Sequence, residues 1–391
     1  MVEATKVKLR PLYQWLDDRM GISALMNSAL HEAVPEQGGW AYTLGSATLI
    51  LIALQIVTGI FLTMMYVPSF HESYQSLHYL QTNDLFGAWV RGMHLWGSYT
   101  LMLVIGLHMI RTFMTASYKR PRELNWVSGA LLFFVVLGLA ITGAMLPGDQ
   151  AAYWTMTVVT NIPHYIPFIG DYIRWLWRGG KFIGPITFTR TYGIHIWLLP
   201  PMLLGLIGLH LYLLRRHGEF GAWVNYDTEG PDPDREIAAR IAKVEPPYPS
   251  RDVDPKFAAP NRTVDFFPNQ VFKDTLVSLL LVAVVFVMAL LMGAPLDGPA
   301  NPATLTYVPT PEWFYLPLDQ LLVLGPQTWL IAFVVFVIPG ITATLFILLP
   351  FIDRSPERNP LRRAHIIVPG LFVIFMMVTL SVLGINRLYN L

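Results

Sequence analysis

The stretch RGMHLWGSYTLMLVIGLHMIR, Arg91–Arg111, decides how this chain is read. Its apolar run predicts a helix, and it carries two histidines, His94 and His108, fourteen positions apart. A second stretch, TYGIHIWLLPPMLLGLIGLHLYLLRR, Thr191–Arg216, repeats the arrangement with His195 and His210. At a rise of ~1.5 Å per residue, each pair spans about 21 to 23 Å along its helix. Two such helices side by side would hold two stacked cofactors, each clamped by one histidine from either helix.

The surrounding chain suits a bilayer. Of its 391 residues 54% are hydrophobic and only 14% charged, which places it among polytopic membrane proteins, in contact with membrane lipids. A net charge of +1 gives no reason to expect nucleic acid as a partner. The absence of Cys excludes disulfides, iron–sulfur ligation by this chain and any haem held through a thioether bond. The N-terminal residues 5–19 alternate charged with apolar positions and predict an amphipathic helix on the membrane surface.

Seven apolar runs are long enough to cross a ~30 Å hydrocarbon layer, near 40–66, 92–114, 126–147, 192–214, 273–293, 328–351 and 365–385. The expected fold is thus an all-α integral membrane protein, a four-helix bundle followed by three further helices. The connections 67–90 and 293–327 contain no Lys or Arg, whereas Lys119, Arg120, Arg122, Arg215, Arg216, Arg354, Arg358, Arg362 and Arg363 crowd the alternate connections. The positive-inside rule then puts the N-terminus and the basic loops in the cytoplasm. The 147–190 connection falls on the outer side yet carries Arg174, Arg178, Lys181 and Arg190, so its charges are expected to serve a site, on a short helix laid over the bundle. Four parts follow: a surface segment 1–39, a four-helix part 40–215, a Pro- and charge-rich cytoplasmic connection 216–268 with a short helix at Asp234–Lys243, and a three-helix part 269–391.

Four of the ten histidines lie inside apolar spans, in two matched pairs. A buried intramembrane histidine is costly unless it has a partner. Haem is flat, apolar on both faces and takes one nitrogen ligand on each side of its iron, a geometry that two flanking helices supply. Zinc would need its ligands to converge on one point, and these are split by ~20 Å. Gly45 and Gly59 in the first span, and Gly129 and Gly143 in the third, are also fourteen apart. Glycine inside a helix costs about 1 kcal/mol relative to Ala, and missing side chains at the two histidine heights would admit macrocycle edges. Arg91 and Arg111 stand three residues outside His94 and His108, placed to pair with haem propionates or to snorkel to the interface.

These features, with LPGDQAAYW at Leu146–Trp154, Thr189-Arg190, PEWF at Pro311–Phe314 and PFIDRSPERNPLRR at Pro350–Arg363, resemble the cytochrome b subunit of quinol:cytochrome c (or plastocyanin) oxidoreductases. The one-residue-longer spacing of His195 and His210, and three helices after the long loop, are similar to the bf-type proteins, with the four-helix cytochrome and the three-helix subunit IV fused. The resemblance implies two non-covalent b-type haems, His94/His195 on the outer, low-potential layer and His108/His210 on the inner. It also implies Arg190 near a haem, electron bifurcation from quinol, a Rieske iron–sulfur partner, a c-type cytochrome partner and a homodimeric complex. Thr43 stands where bf-type proteins bind an extra haem through Cys, and Gly148 where Trp is usual.

Two quinone sites follow. At the outer one Glu312, beside Pro311, Trp313 and Phe314, is the candidate proton acceptor, with Tyr153 close to the quinol. At the inner one Lys273, Asp274 and Arg215 are the candidate proton donors and quinone contacts, or else ordinary helix-end charges. Two other readings fit part of the pattern. A di-haem anchor of another quinone-linked enzyme would lack the PEW segment; a transporter with intramembrane histidines would be colourless.

Overall fold

Asp84 starts the helix that carries the first histidine pair: its carboxylate accepts from the backbone N–H of Phe86 (3.0 Å) and Gly87 (3.1 Å), so the helix begins several residues before the apolar run does. In the computed structural model, which describes residues 12–23, 26, 30, 33–35, 39–217, 263–325, 336–355 and 357–389, the helices in chain order are α1 (Leu44–Met65), α2 (Ser73–Asn83), α3 (Leu85–Met114), α4 (Glu123–Ala144), α5 (Gln150–Asn161), α6 (Gly170–Arg178), α7 (Pro185–His217), α8 (Phe266–Met292), α9 (Leu316–Leu324), α10 (Ile338–Ile347) and α11 (Ala364–Tyr389). Among the described residues six helices are long and apolar enough to span a bilayer. They coincide with six of the seven expected spans; the start of the remaining one, expected at 328–351, falls on residues 326–335, outside those described, and its later part is α10. The short helix expected at 234–243 also lies outside the described residues, and of the expected surface helix the described part is helical over 12–20. Two three-residue strands, Ala33–Pro35 and Thr263–Asp265, pair antiparallel and tie the N-terminal segment to the start of α8.

The bundle is built from pairs. α1 packs along α3 and α4 along α7, while α8 lies along α3 and α1, α10 against α4, and α9 against α11. A bilayer offers little hydrophobic drive for helix association, so close approach of small residues carries the packing. At the α3–α8 crossing a Cβ placed on Gly92 would stand only 3.0 Å from the Cβ and 3.2 Å from the Cα of Ala289. Ala47, Leu51, Met93, Leu101, Val135, Leu203, Val285 and Ala289 form the buried centre between these helices.

One backbone irregularity sets the register of α7. Ile194–Leu198 form a π turn, in which the Leu199 N–H bonds the Ile194 carbonyl five residues back. Pro200 and Pro201 follow and lack the N–H groups that would close ordinary α turns over the same stretch. A π turn absorbs one extra residue into a helix. The fifteen positions from His195 to His210 therefore match in rise and in facing direction the fourteen from His94 to His108.

Each end of the bundle is fastened by polar contacts. At the basic end Asp353 Oδ1 accepts from Lys119 Nζ (2.8 Å) and Asp353 Oδ2 accepts from the Tyr118 hydroxyl (2.6 Å) and from Arg363 Nη1 (3.0 Å). Arg363 is fully buried and donates through Nη2 to the carbonyls of Phe113 (3.1 Å) and Met114 (3.0 Å), at the C-terminal end of α3, where a cation is favoured. At the opposite end the connection after α8 is laced to the turn before α5: Gln150 N–H bonds the Gly298 carbonyl (2.9 Å), Asn301 N–H bonds Gln150 Oε1 (2.6 Å) and Asp297 N–H bonds Asp149 Oδ2 (3.2 Å). Gly148 has a φ of +71° and a Cβ there would meet Ser73 Oγ at 2.1 Å, so both the backbone and the space favour glycine over any larger residue.

The 147–190 connection contains two helices, α5 and α6, instead of the single one expected. Its cations bond within it: Arg178 Nε donates to Thr160 Oγ1 (2.8 Å) and its Nη2 to the Thr157 carbonyl (3.0 Å), Arg174 pairs with Asp171 (2.6 Å) and Arg190 donates to the Leu176 carbonyl. These charges hold the segment's own shape.

Candidate functional site

Four histidines project from α3 and α7 into the bundle in two layers. His94 and His195 lie close enough to interact electrostatically, as do His108 and His210. Among the described residues no three His, Cys, Asp or Glu side chains converge as a metal cluster would require, and each layer brings two imidazoles together. Every histidine rests against one of the matched glycines. A Cβ on Gly59 would lie 3.4 Å from His94 Cε1, on Gly45 3.5 Å from His108 Cε1, on Gly129 3.1 Å from His210 Cε1 and on Gly143 2.9 Å from His195 Cε1. The glycines thus admit the imidazoles themselves, a more local role than clearing room for macrocycle edges.

Beside three of these glycines stands a hydroxyl that the sequence reading passed over. Thr58 Oγ1 is 2.9 Å from His94 Nδ1, Thr142 Oγ1 is 3.0 Å from His195 Nδ1 and Ser128 Oγ is 2.9 Å from His210 Nδ1. The carbonyls of Leu139 and Asn125 bond His195 and His210 as well. With Nδ1 engaged, Nε2 is the nitrogen left for a ligand. The signal was present as Thr-Gly, Ser-Gly and Thr-Gly at 58–59, 128–129 and 142–143.

The two arginines differ. Arg91 is engaged by Gln81 Oε1 and by the carbonyls of Ala294 (2.7 Å) and Pro295 (2.8 Å), which anchors the connection after α8. Arg111 stacks over the Tyr42 ring at 3.7 Å while its Nε and Nη2 are buried without a partner. A haem fits this set: paired imidazoles, three of them with Nδ1 engaged so that Nε2 is left to ligate, glycine cradles at both layers, and at the His108 layer a guanidinium with two unpartnered nitrogens suited to an anionic propionate.

Glu312 lies at the opposite end from the basic loops, just before the 3₁₀ turn Trp313–Tyr315. The Tyr99 hydroxyl, five positions past His94 on α3, donates to its Oε2. Burial pushes the Glu312 carboxyl above the ordinary carboxylate range, and the bond from Tyr99 partly offsets it. Phe314 meets Tyr99 edge-on at 6.1 Å and Trp313 is 45% exposed, so aromatic rings flank the acid. Pro311 lies in the extended approach to that turn. Tyr153 lies on α5, within electrostatic reach of Arg178, and Tyr99 is the phenol that meets Glu312. Tyr99 was legible only as a lone polar ring in an apolar span.

At the basic end Asp274, on α8, accepts from Gln270 Nε2 (2.8 Å) and lies near Ser46, one residue from Gly45. Lys273 adjoins it, and Arg215 lies in the last turn of α7. The three stand at the end of the bundle nearer the His108 layer.

The fold and site are those of a membrane-embedded cytochrome. The profile of the family described as cytochrome b (N-terminal)/b6/petB matches residues 99–299, and the chain belongs to that family. It is similar to the menaquinol:cytochrome c reductase cytochrome b subunit of Geobacillus thermodenitrificans, 38% identical over 221 residues, 54% of this chain and 99% of the relative. It is also similar to cytochrome b6 of Prochlorococcus marinus (strain MIT 9303), 35% identical over 211 residues, 54% of this chain and 97% of the relative. A solved structure described as a hyperthermophilic respiratory Complex III aligns with a TM-score of 0.75 at 27% identity, covering 95% of this chain and 90% of the other. That alignment extends the likeness beyond residue 299, over α9–α11.

Proposed function

We propose that this chain is the cytochrome b subunit of a quinol:cytochrome c oxidoreductase complex, a fusion of the four-helix and three-helix parts found separately in bf-type complexes. The observation that carries the reading is the pair of histidine layers, each imidazole seated on a glycine. When bound, two b-type haems supply one-electron carriers, one per layer, spaced across the bilayer.

The chain's residues do the rest. His94 with His195, and His108 with His210, hold the two planes. Arg111, with two unpartnered nitrogens, would neutralise a propionate at the inner layer. Quinol binds at the end away from the basic loops, against Trp313, Phe314 and Tyr99, and gives up two electrons and two protons to become quinone. Glu312, its pKa raised by burial above the ordinary carboxylate value, accepts one of those protons from the quinol hydroxyl, and the other leaves to the outer aqueous phase. One electron leaves to a Rieske iron–sulfur partner and then a c-type cytochrome; the other crosses the bundle to a quinone beside Lys273, Asp274 and Arg215, whose side chains deliver protons from the cytoplasmic phase. The basic loops and N-terminus on that side, and the acid-bearing pocket on the other, give the reaction its direction across the membrane.

The test is a pyridine haemochrome assay with a redox titration of the purified complex, for wild type and His195→Leu. Two non-covalent b haems with separated midpoints are expected in wild type, and loss of the lower one in the variant. A haem-free or single-haem wild-type protein overturns the reading.

A further inference from the structure

The hydroxyls beside the histidines are unequally distributed between the layers. A serine or threonine hydroxyl has one proton to donate. Thr58 gives it to the Leu54 carbonyl (2.7 Å), Thr142 to the Gly138 carbonyl (2.6 Å) and Ser128 to the Asn125 carbonyl (2.9 Å), each along its own helix. Toward the imidazole each oxygen can then only accept, so Nδ1 of His94, His195 and His210 carries the proton. All three occupy the position immediately before the glycine that cradles the ring. The fourth such position, before Gly45, is Leu44, whose side chain has only carbon to present to His108. The layer of His94 and His195 has two hydroxyl acceptors; the layer of His108 and His210 has one.

We propose that Thr58, Thr142 and Ser128 are positioning residues that lock the ligating tautomer, and that the omission at Leu44 sets the two layers at different redox potentials. This rests on the haem ligation proposed above. An acceptor on the distal N–H of a ligating imidazole fixes the ring's orientation and makes the other nitrogen a stronger donor. A stronger donor favours ferric over ferrous iron and lowers the midpoint, through hydrogen bonding around the axial ligand. Two such bonds pull the His94/His195 layer down, and one pulls the His108/His210 layer down less. Electrons therefore fall from the first layer to the second. The Arg111 charge at the second layer acts in the same direction, so the hydroxyl contribution must be isolated from it.

Leu44→Ser isolates it, because it installs a hydroxyl in the place that Ser128 occupies opposite and leaves Arg111 untouched. Potentiometric titration of the purified complex, read from the two haem α-bands, is expected to show the higher midpoint falling in Leu44→Ser by up to about tenfold in the ferric-to-ferrous ratio, ~59 mV for one electron. Thr58→Val is expected to raise the lower midpoint by a similar amount, and Thr58→Ser to return it to the wild-type value. Haem loss in Thr58→Val that Thr58→Ser repairs also supports the positioning role. Unmoved midpoints in both Leu44→Ser and Thr58→Val, with two haems still bound, overturn the proposal and leave the ligation standing. A wild-type complex without two haems overturns both.

Discussion

Glu312 is an acid placed where its own solvation is poorest. Its carboxylate sits among Trp313, Phe314 and Tyr99, and burial raises its pKa from the ordinary value. As a proton acceptor it works only when ionised, so quinol oxidation should rise with pH through an inflection above the usual carboxylate range. Glu312→Gln should remove that inflection and slow steady-state cytochrome c reduction by ~10²-fold or more, in line with loss of a general base. Tyr99→Phe, by removing the one hydrogen bond that opposes burial, should move the inflection to higher pH. An unaltered pH profile in both variants would take Glu312 out of the proton path. The acid itself was readable from its motif; its phenol partner was not, because Tyr99 lies more than two hundred positions earlier, on a helix chosen for its histidines.

At the scale of single helices, α3 and α7 carry the same device with different spacing. At ~100° per residue, an unbroken fifteen-residue interval on α7 would turn His210 about 100° away from the face that His195 occupies relative to a fourteen-residue interval. The π turn at Ile194–Leu198 removes that discrepancy. Deleting Ile196 should convert the turn to plain α-helix, leave fourteen positions between the histidines and retain two haems per chain. Deleting Leu101, between His94 and His108 where no such slack exists, should cost one haem. Haem-to-protein ratios of the two purified variants decide this; equal retention in both would deny the π turn its register function. The unequal spacing is plain in the sequence, and so are the two prolines. That the backbone would absorb the extra residue at His195 depends on hydrogen bonds that no spacing argument specifies.

Across the whole molecule, the part carrying α3 and the part carrying α11 meet in a buried charge cluster. Lys119 and Tyr118 come from the connection after α3, Asp353 and Arg363 from the segment before α11, and Arg363 also caps α3. Burial alone would raise the Asp353 carboxyl, but the bonds from Lys119 and Tyr118 outweigh it and hold the group below its ordinary pKa. A depressed folded-state pKa contributes stability above the unfolded pKa and loses it as pH falls through the folded one. The join between the two parts should therefore weaken on acidification below the ordinary carboxylate range. Arg363→Met should cost about 3 kcal/mol or more, because it leaves Asp353 buried with one fewer countercharge and strips the carbonyls of Phe113 and Met114 of their donor. A thermal unfolding midpoint in detergent unchanged from wild type would contradict this.

The sequence by itself determined the membrane-spanning helices, the paired histidines and glycines, and the acid before Trp313, because length, hydropathy and interval are local properties of a helix crossing a layer of fixed thickness. It also placed the basic loops on one end. Only the tertiary structure decided what each glycine faces, which hydroxyl reaches which imidazole, that Arg91 braces the connection after α8 while Arg111 stays partly unpaired, and that Lys119 and Arg363 share one aspartate. Those are choices between helices, and in a bilayer, where apolar faces have little preference among themselves, close packing and individual hydrogen bonds make them.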